Sequence, residues 1–198
     1  MLFSISDNIR SIPSLIDGLK PSQRKIIYAC IKRNLYTEIK VSQLSGYVSE
    51  KTNYHHGENS LMDTIVSLAQ NFVGSNNINL LEPIGQFGTR LLGGKDSSSP
   101  RYIFTHLSKD FKKLFNEDDN PILDYIEEDG DLIEPTFYVP TLPLILINGA
   151  CGIGTGFSCD VPRFNPEDIK KRLMDLVIDE DADISEMTPW YKGFSGSI

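Results

Sequence analysis

The 198-residue sequence has only three cysteines, Cys30, Cys151 and Cys159. They show no metal-ligand spacing and are too few for a disulfide framework, so they read as reduced core thiols of an intracellular protein. It also lacks a long apolar run. The densest, Leu144 to Ile147, is soon followed by Gly149, far short of the roughly 20 residues a membrane-spanning helix needs. The start lacks the basic residues of a secretory leader, and an acid arrives at Asp7. Excess positive charge is missing too: the net charge of −8 argues against simple coating of a polyanion. The deficit is uneven, however. Residues 1–109 carry 12 Lys and Arg against 8 Asp and Glu, a balance of +4, whereas residues 110–198 carry 7 against 19, a balance of −12. A basic first half suits a phosphate-binding face, and equally an ordinary solvated surface.

The stretch from Gly93 to Thr105 organises the rest. It begins as a loop of glycines and small polar residues, passes Pro100, and is expected to enter a strand at Tyr102-Ile103-Phe104-Thr105, all good β-formers. Arg101 and Tyr102 stand at the junction. A phenol beside a guanidinium can attack a phosphodiester, the arginine neutralising charge on the phosphorus oxygens. The same pair also fits a hydroxyl left in water and a surface ion pair.

Apolar spacing predicts helices on either side. Asp7 to Gly18 reads as a short helix interrupted by Pro13, with Ile9, Ile12 and Ile16 inward. Pro21 opens a second, running to about Asn34 on Ile27, Cys30 and Ile31. A third covers Lys40 to Glu50, and a fourth about Gly57 to Gln70. The third and fourth suit a helix-turn-helix, a pattern shared by many helical hairpins. Adjacent His55 and His56 precede the fourth helix, where backbone N–H groups favour an anion and His56 can donate to a phosphate oxygen or relay a proton. A zinc pair is rejected, because neighbouring side chains diverge and only His106 remains as a further histidine. Gly85 and Gly88 suggest tight turns leading to a β-wing that contains Tyr102. Beyond it come a helix over Leu107–Phe115, an acidic turn, strands around Asp129-Gly130, a buried strand over Pro140–Ile147, a glycine-rich loop from Asn148 to Gly156, and a helix from Pro166 to Val177. The carboxylates near residue 128 lack convergent spacing, so no metal site is expected in this chain.

Several strings carry a resemblance: Asp17-Gly18-Leu19-Lys20-Pro21-Ser22-Gln23-Arg24-Lys25, Tyr54-His55-His56-Gly57-Glu58, Ala69 to Asn77, Ile84 to Arg90, Ser99-Pro100-Arg101-Tyr102-Ile103 and Leu146 to Gly156. In order and spacing they resemble the breakage-reunion region of type IIA DNA topoisomerases, on the eukaryotic topoisomerase II side. The resemblance implies an α+β fold: a winged-helix domain over 1–141, then the start of an α/β tower domain over 142–198, the chain being a piece of a longer enzyme. It implies Tyr102, Arg101 and His56 as catalytic residues, and Arg10, Lys20, Arg24, His55 and Ile153 as DNA contacts. Ile153 would wedge into the base stack, with glycines on either side letting the backbone approach. It further implies a homodimer acting on double-stranded DNA in the nucleus, with no membrane role, with Mg²⁺ held by an upstream domain and ATP by another. The alternative is a non-catalytic winged-helix DNA-binding module. Cys151 stands where the family usually has an acid, and Asn59 where cleavage-stabilising drugs can touch.

Overall fold

A computed structural model describes residues 2–183 and 187–198. Its frame is three packed helices: α2 (Pro21–Arg33), α3 (Val41–Lys51) and α4 (Glu58–Ala69). Pro21 occupies the first turn of α2, where its missing N–H costs nothing, and the Gln23 side chain reaches back to accept from the Lys20 amide at 2.9 Å. Asn34 ends the helix in the left-handed region. Ile26, Ile27, Ala29 and Cys30 are fully buried, as are Val41, Leu44 and Val48 of α3 and Leu61 and Ile65 of α4. Each large side chain so buried contributes about 1.5–3 kcal/mol. Burial also pushes the Cys30 thiol up to about 12. Cys151 is exposed and Cys159 half-buried, so only one of the three free cysteines is a core thiol.

Around the helices lie three two-stranded antiparallel sheets. Strand β1 (Ile39–Lys40) pairs with β2 (Phe104–Thr105), Ile39 opposite Thr105. Strands β3 (Tyr125–Glu128) and β4 (Asp131–Pro135) close on Asp129 and Gly130, both at positive φ as a two-residue type I′ turn requires. Strands β5 (Ala150–Ile153) and β6 (Ser158–Val161) form the third hairpin. The remaining helices are α1 (Leu2–Ser11), α5 (Phe111–Leu114), α6 (Leu144–Ile147) and α7 (Pro166–Ile178). Leu144, Ile147 and Ile169 belong to the same buried cluster as Ile27 and Leu61. Buried Asn77 ties that region in: its amide nitrogen donates to the carbonyls of Ile147, Phe164 and Trp190, and its oxygen accepts from the Lys192 amide.

Four expectations are corrected. The first helix spans Leu2–Ser11 with no buried residue, and Ile9 and Ile16 are exposed rather than inward. Pro140–Ile147 is not a strand: Pro143 starts a single turn of helix that Asn148 and Gly149 end. The helix expected over Leu107–Phe115 shortens to Phe111–Leu114, because Leu107 bridges Leu81 in extended backbone. Finally, Arg24 does not face solvent. It is buried beside fully buried Asp17, its Nε and Nη2 donating to the carboxylate at 2.7 and 3.0 Å and Nη2 also to the Leu19 carbonyl. The same carboxylate accepts from the amides of Leu19 and Tyr138. The bidentate fork thus locks the turn before α2, and Arg24 is withdrawn from the DNA contacts.

Removing one partner of a buried, hydrogen-bonded pair leaves the other uncompensated. Arg24→Ala is expected to destabilise the fold by about 3–5 kcal/mol, read from the midpoint of chemical unfolding, with an unchanged midpoint refuting the assignment.

Candidate functional site

Tyr102 lies in a turn, not on a strand; regular pairing begins only at Phe104. Its amide donates to the Ser99 carbonyl at 2.9 Å, which turns the chain outward and leaves the residue 67% exposed. The Arg101 guanidinium lies over its ring, 4.9 Å from the centroid. On either side of the pair the backbone is tied down. The carbonyls of Pro100 and Ile103 accept from the first-turn amides of Ser42 and Val41, satisfying donors that the start of α3 cannot satisfy itself. Ile103 is buried, and Gly85 is required beside it: a Cβ there would sit 2.9 Å from the Ile103 side chain. Phe104 exchanges both hydrogen bonds with Ile84. An exposed phenol is thereby presented to solvent on a fixed base.

Arg10, His55 and His56 line one open cleft of about 570 Å³, together with Lys25, Ser60 and Glu128. His55 Nε2 stands 3.3 Å from the Glu128 carboxylate, and the His56 ring meets Tyr54 edge-on. Lys25 is committed to Glu134 and the Thr52 carbonyl, so the exposed cations of the cleft are Arg10 and, when protonated, the two histidines. Tyr102 and Arg101 do not line this cleft.

Lys20 opens onto a separate groove of about 560 Å³ between α4 and the β5–β6 hairpin. Arg163, which sequence reasoning missed, lines the same groove; its Nε donates to the Asn148 carbonyl at 2.7 Å. No local motif marks it. Ile153 sits 80% exposed at the hairpin end, with exposed Phe157 across the turn. The hairpin is pressed onto α1. A Cβ on Gly152 would fall 2.3 Å from the Ser11 carbonyl, and one on Gly154 would meet the Asn8 side chain. The Thr155 hydroxyl donates to Asp7 at 2.8 Å, and Arg10 pairs with the same carboxylate. Arg10 and Ile153 are therefore carried on two elements joined through Asp7. Among the described residues no group of three or more His, Cys, Asp or Glu converges to hold a metal, and no helix is long and apolar enough to cross a membrane.

A family model described as the A-type subunit of DNA gyrase/topoisomerase IV matches residues 10–198. The chain is 57% identical over 198 residues to DNA topoisomerase 2 of Candida albicans, covering 100% of this chain and 13% of that protein. It is 58% identical over 196 residues to the mitochondrial DNA topoisomerase 2 of Dictyostelium discoideum, covering 99% of this chain and 15% of that one. The crystal structure of the Plasmodium falciparum topoisomerase II DNA-binding, cleavage and re-ligation domain matches with a TM-score of 0.94 and 53% identity, over 98% of this chain and 26% of that chain. The chain thus spans a small part of the relatives it matches.

The Thr155 hydroxyl and the neighbouring Arg10 hold the Asp7 carboxyl below the usual carboxylate range. A depressed acid stabilises the fold above its unfolded value of about 3.9, and that contribution is lost as pH falls through the lower folded value. Amide exchange at Gly154, corrected for intrinsic rate, should stay constant from neutrality to about pH 4 and accelerate below it. In Asp7→Asn the acceleration should vanish; its persistence would show that another group anchors the hairpin.

Proposed function

Because the chain belongs to the DNA gyrase/topoisomerase IV family, we propose that it is the tyrosine-bearing part of an ATP-dependent type IIA DNA topoisomerase. Tyr102 Oη attacks a backbone phosphorus and the deoxyribose 3′ oxygen leaves, taking up a proton as the phenol loses one. The product is a 5′-phosphotyrosyl link. A phenol is more acidic than a sugar hydroxyl, with an ordinary pKa of about 10. The link therefore stays reactive enough for the freed 3′-hydroxyl to reverse it without an external energy source. Arg101, beside the ring, steadies the phosphate; His56 and His55 contact phosphate or move the proton; Arg10 and Lys20 hold flanking phosphates and Ile153 wedges between bases. The observation that carries this reading is the exposed Tyr102–Arg101 pair on a backbone fixed at both neighbours.

We read α2, α3 and α4 with the β1–β2 pair as a winged-helix unit over 1–141, and 142–198 as the start of a tower domain sharing its core. In the nucleus, a homodimer would place one tyrosine on each strand of a double helix so that a second duplex passes through. Among the described residues no group of three or more His, Cys, Asp or Glu converges into a magnesium site. By the family likeness, Mg²⁺ and ATP belong to other parts of the longer enzyme, and no step here runs through them.

Denaturant trapping of the full-length enzyme on DNA, followed by peptide mapping, should place the covalent bond on Tyr102. Tyr102→Phe should abolish the adduct, and Arg101→Ala should slow its formation by about 10²-fold, the scale for losing one donor to a developing charge. An adduct surviving in Tyr102→Phe, or mapped elsewhere, overturns the mechanism; a bond mapped outside these 198 residues leaves this part a non-catalytic DNA-binding module. For Lys20→Ala, log K against log salt should become shallower by about one unit. An unchanged slope removes Lys20 from the phosphate contacts.

A further inference from the structure

Gln70 follows the last turn of α4 in extended backbone, with its side chain half-buried. Its amide nitrogen donates to two carbonyls, Phe87 at 2.9 Å and Gly94 at 3.2 Å. These lie on opposite arms of the loop that leads into Tyr102. The arms are joined elsewhere by Ser98 N–H to the Gln86 carbonyl at 2.9 Å, by Gly94 N–H to the Thr89 carbonyl, and by Asp96, which accepts from the Thr89 amide and hydroxyl. Gln70 is the one of these ties that comes from outside the loop. The loop is shaped around it: a Cβ on Gly94 would fall 2.3 Å from its nitrogen, and one on Gly88 would strike the Gly94 carbonyl. Both glycines sit at positive φ. The backbone of Gln70 is tied as well, its N–H donating to the Val66 carbonyl and its carbonyl accepting from Asn76 Nδ2 at 2.8 Å.

Resting on the reading of Tyr102 as nucleophile, we infer that Gln70 is a positioning residue for that reaction, bracing the loop before Tyr102 against α4. It touches no reacting atom. Through it, α4 and the nucleophile loop are held as one body, so the angle at which the phenol meets phosphorus depends on a two-donor strut. Misplacing a reacting group by about 1 Å can cost about 10²-fold in rate.

The test uses the full-length enzyme. Gln70→Glu keeps the size and removes both donors, setting a carboxylate against two carbonyls. It should lower the rate of denaturant-trapped adduct formation by about 10- to 100-fold with DNA affinity within about twofold of the parent. Gln70→Lys, whose ammonium again carries several donors, should recover most of the rate. Thr141→Ala removes the bonds from Thr141 to the Lys113 and Leu114 carbonyls, apart from Gln70 and its loop, and serves as the stability control; it should lower the melting temperature while leaving the adduct rate nearly unchanged. A parental rate in Gln70→Glu, an equal loss in Gln70→Lys, or a loss tracking melting temperature across all three variants overturns the assignment. If the parent forms no adduct on Tyr102, the reading beneath it fails instead, and peptide mapping of the parent tells the two failures apart.

Discussion

Two amide-to-carbonyl bonds hold the arrangement together: Val41 N–H to Ile103 and Ser42 N–H to Pro100. The first turn of any helix has N–H groups without intrahelical partners, and in α3 they are satisfied by the backbone on both sides of Arg101 and Tyr102. The helix gains its cap and the loop gains its anchor from the same atoms. Since Val41 begins the buried stripe that continues to Leu44 and Val48, the exposed Tyr102 phenol is referred directly to the core. A long exposed side chain on a loop would otherwise wander; here only its own torsions remain free.

Charge is handled differently in the buried and open parts of the molecule. Arg24 and Lys25 are neighbours in sequence, yet both are spent inside the fold, one on Asp17 and one on Glu134. Glu134 belongs to β4, so the acidic second half neutralises part of the basic first half rather than merely facing elsewhere. Arg10, Arg101 and the histidines keep their heads in water, where a polyanion can reach them. Net charge over a half-chain counts all of these alike, which is why it was a weak guide to the interface.

Where periodicity was long and ends were marked, the fold was legible. Pro21 and the apolar spacing of Ile27 and Cys30 gave α2; the helix expected over about Gly57 to Gln70 is α4; Asp129-Gly130 gave the tight hairpin. Short apolar runs were not legible. Leu144 to Ile147 suits a buried strand as well as one helical turn, and only packing decides. Tyr102 is a good β-former held in a turn by Ser99, a tertiary override of propensity. The burial of Arg24 depended on Asp17 seven residues earlier, beyond any local pattern, and Gln70 gave no sign of its role. What named Tyr102 with force was the run of strings around it, not its chemistry in isolation.

The β5–β6 hairpin restricts how its lineage can drift. Gly152 and Gly154 point into α1, where no side chain fits, while Cys151, Ile153 and Phe157 are exposed. Substitutions can therefore accumulate on the outward set without disturbing the docking of the hairpin. Ile153 is free to be exchanged for another side chain, so the outer face of the hairpin can change over generations while the platform beneath stays put.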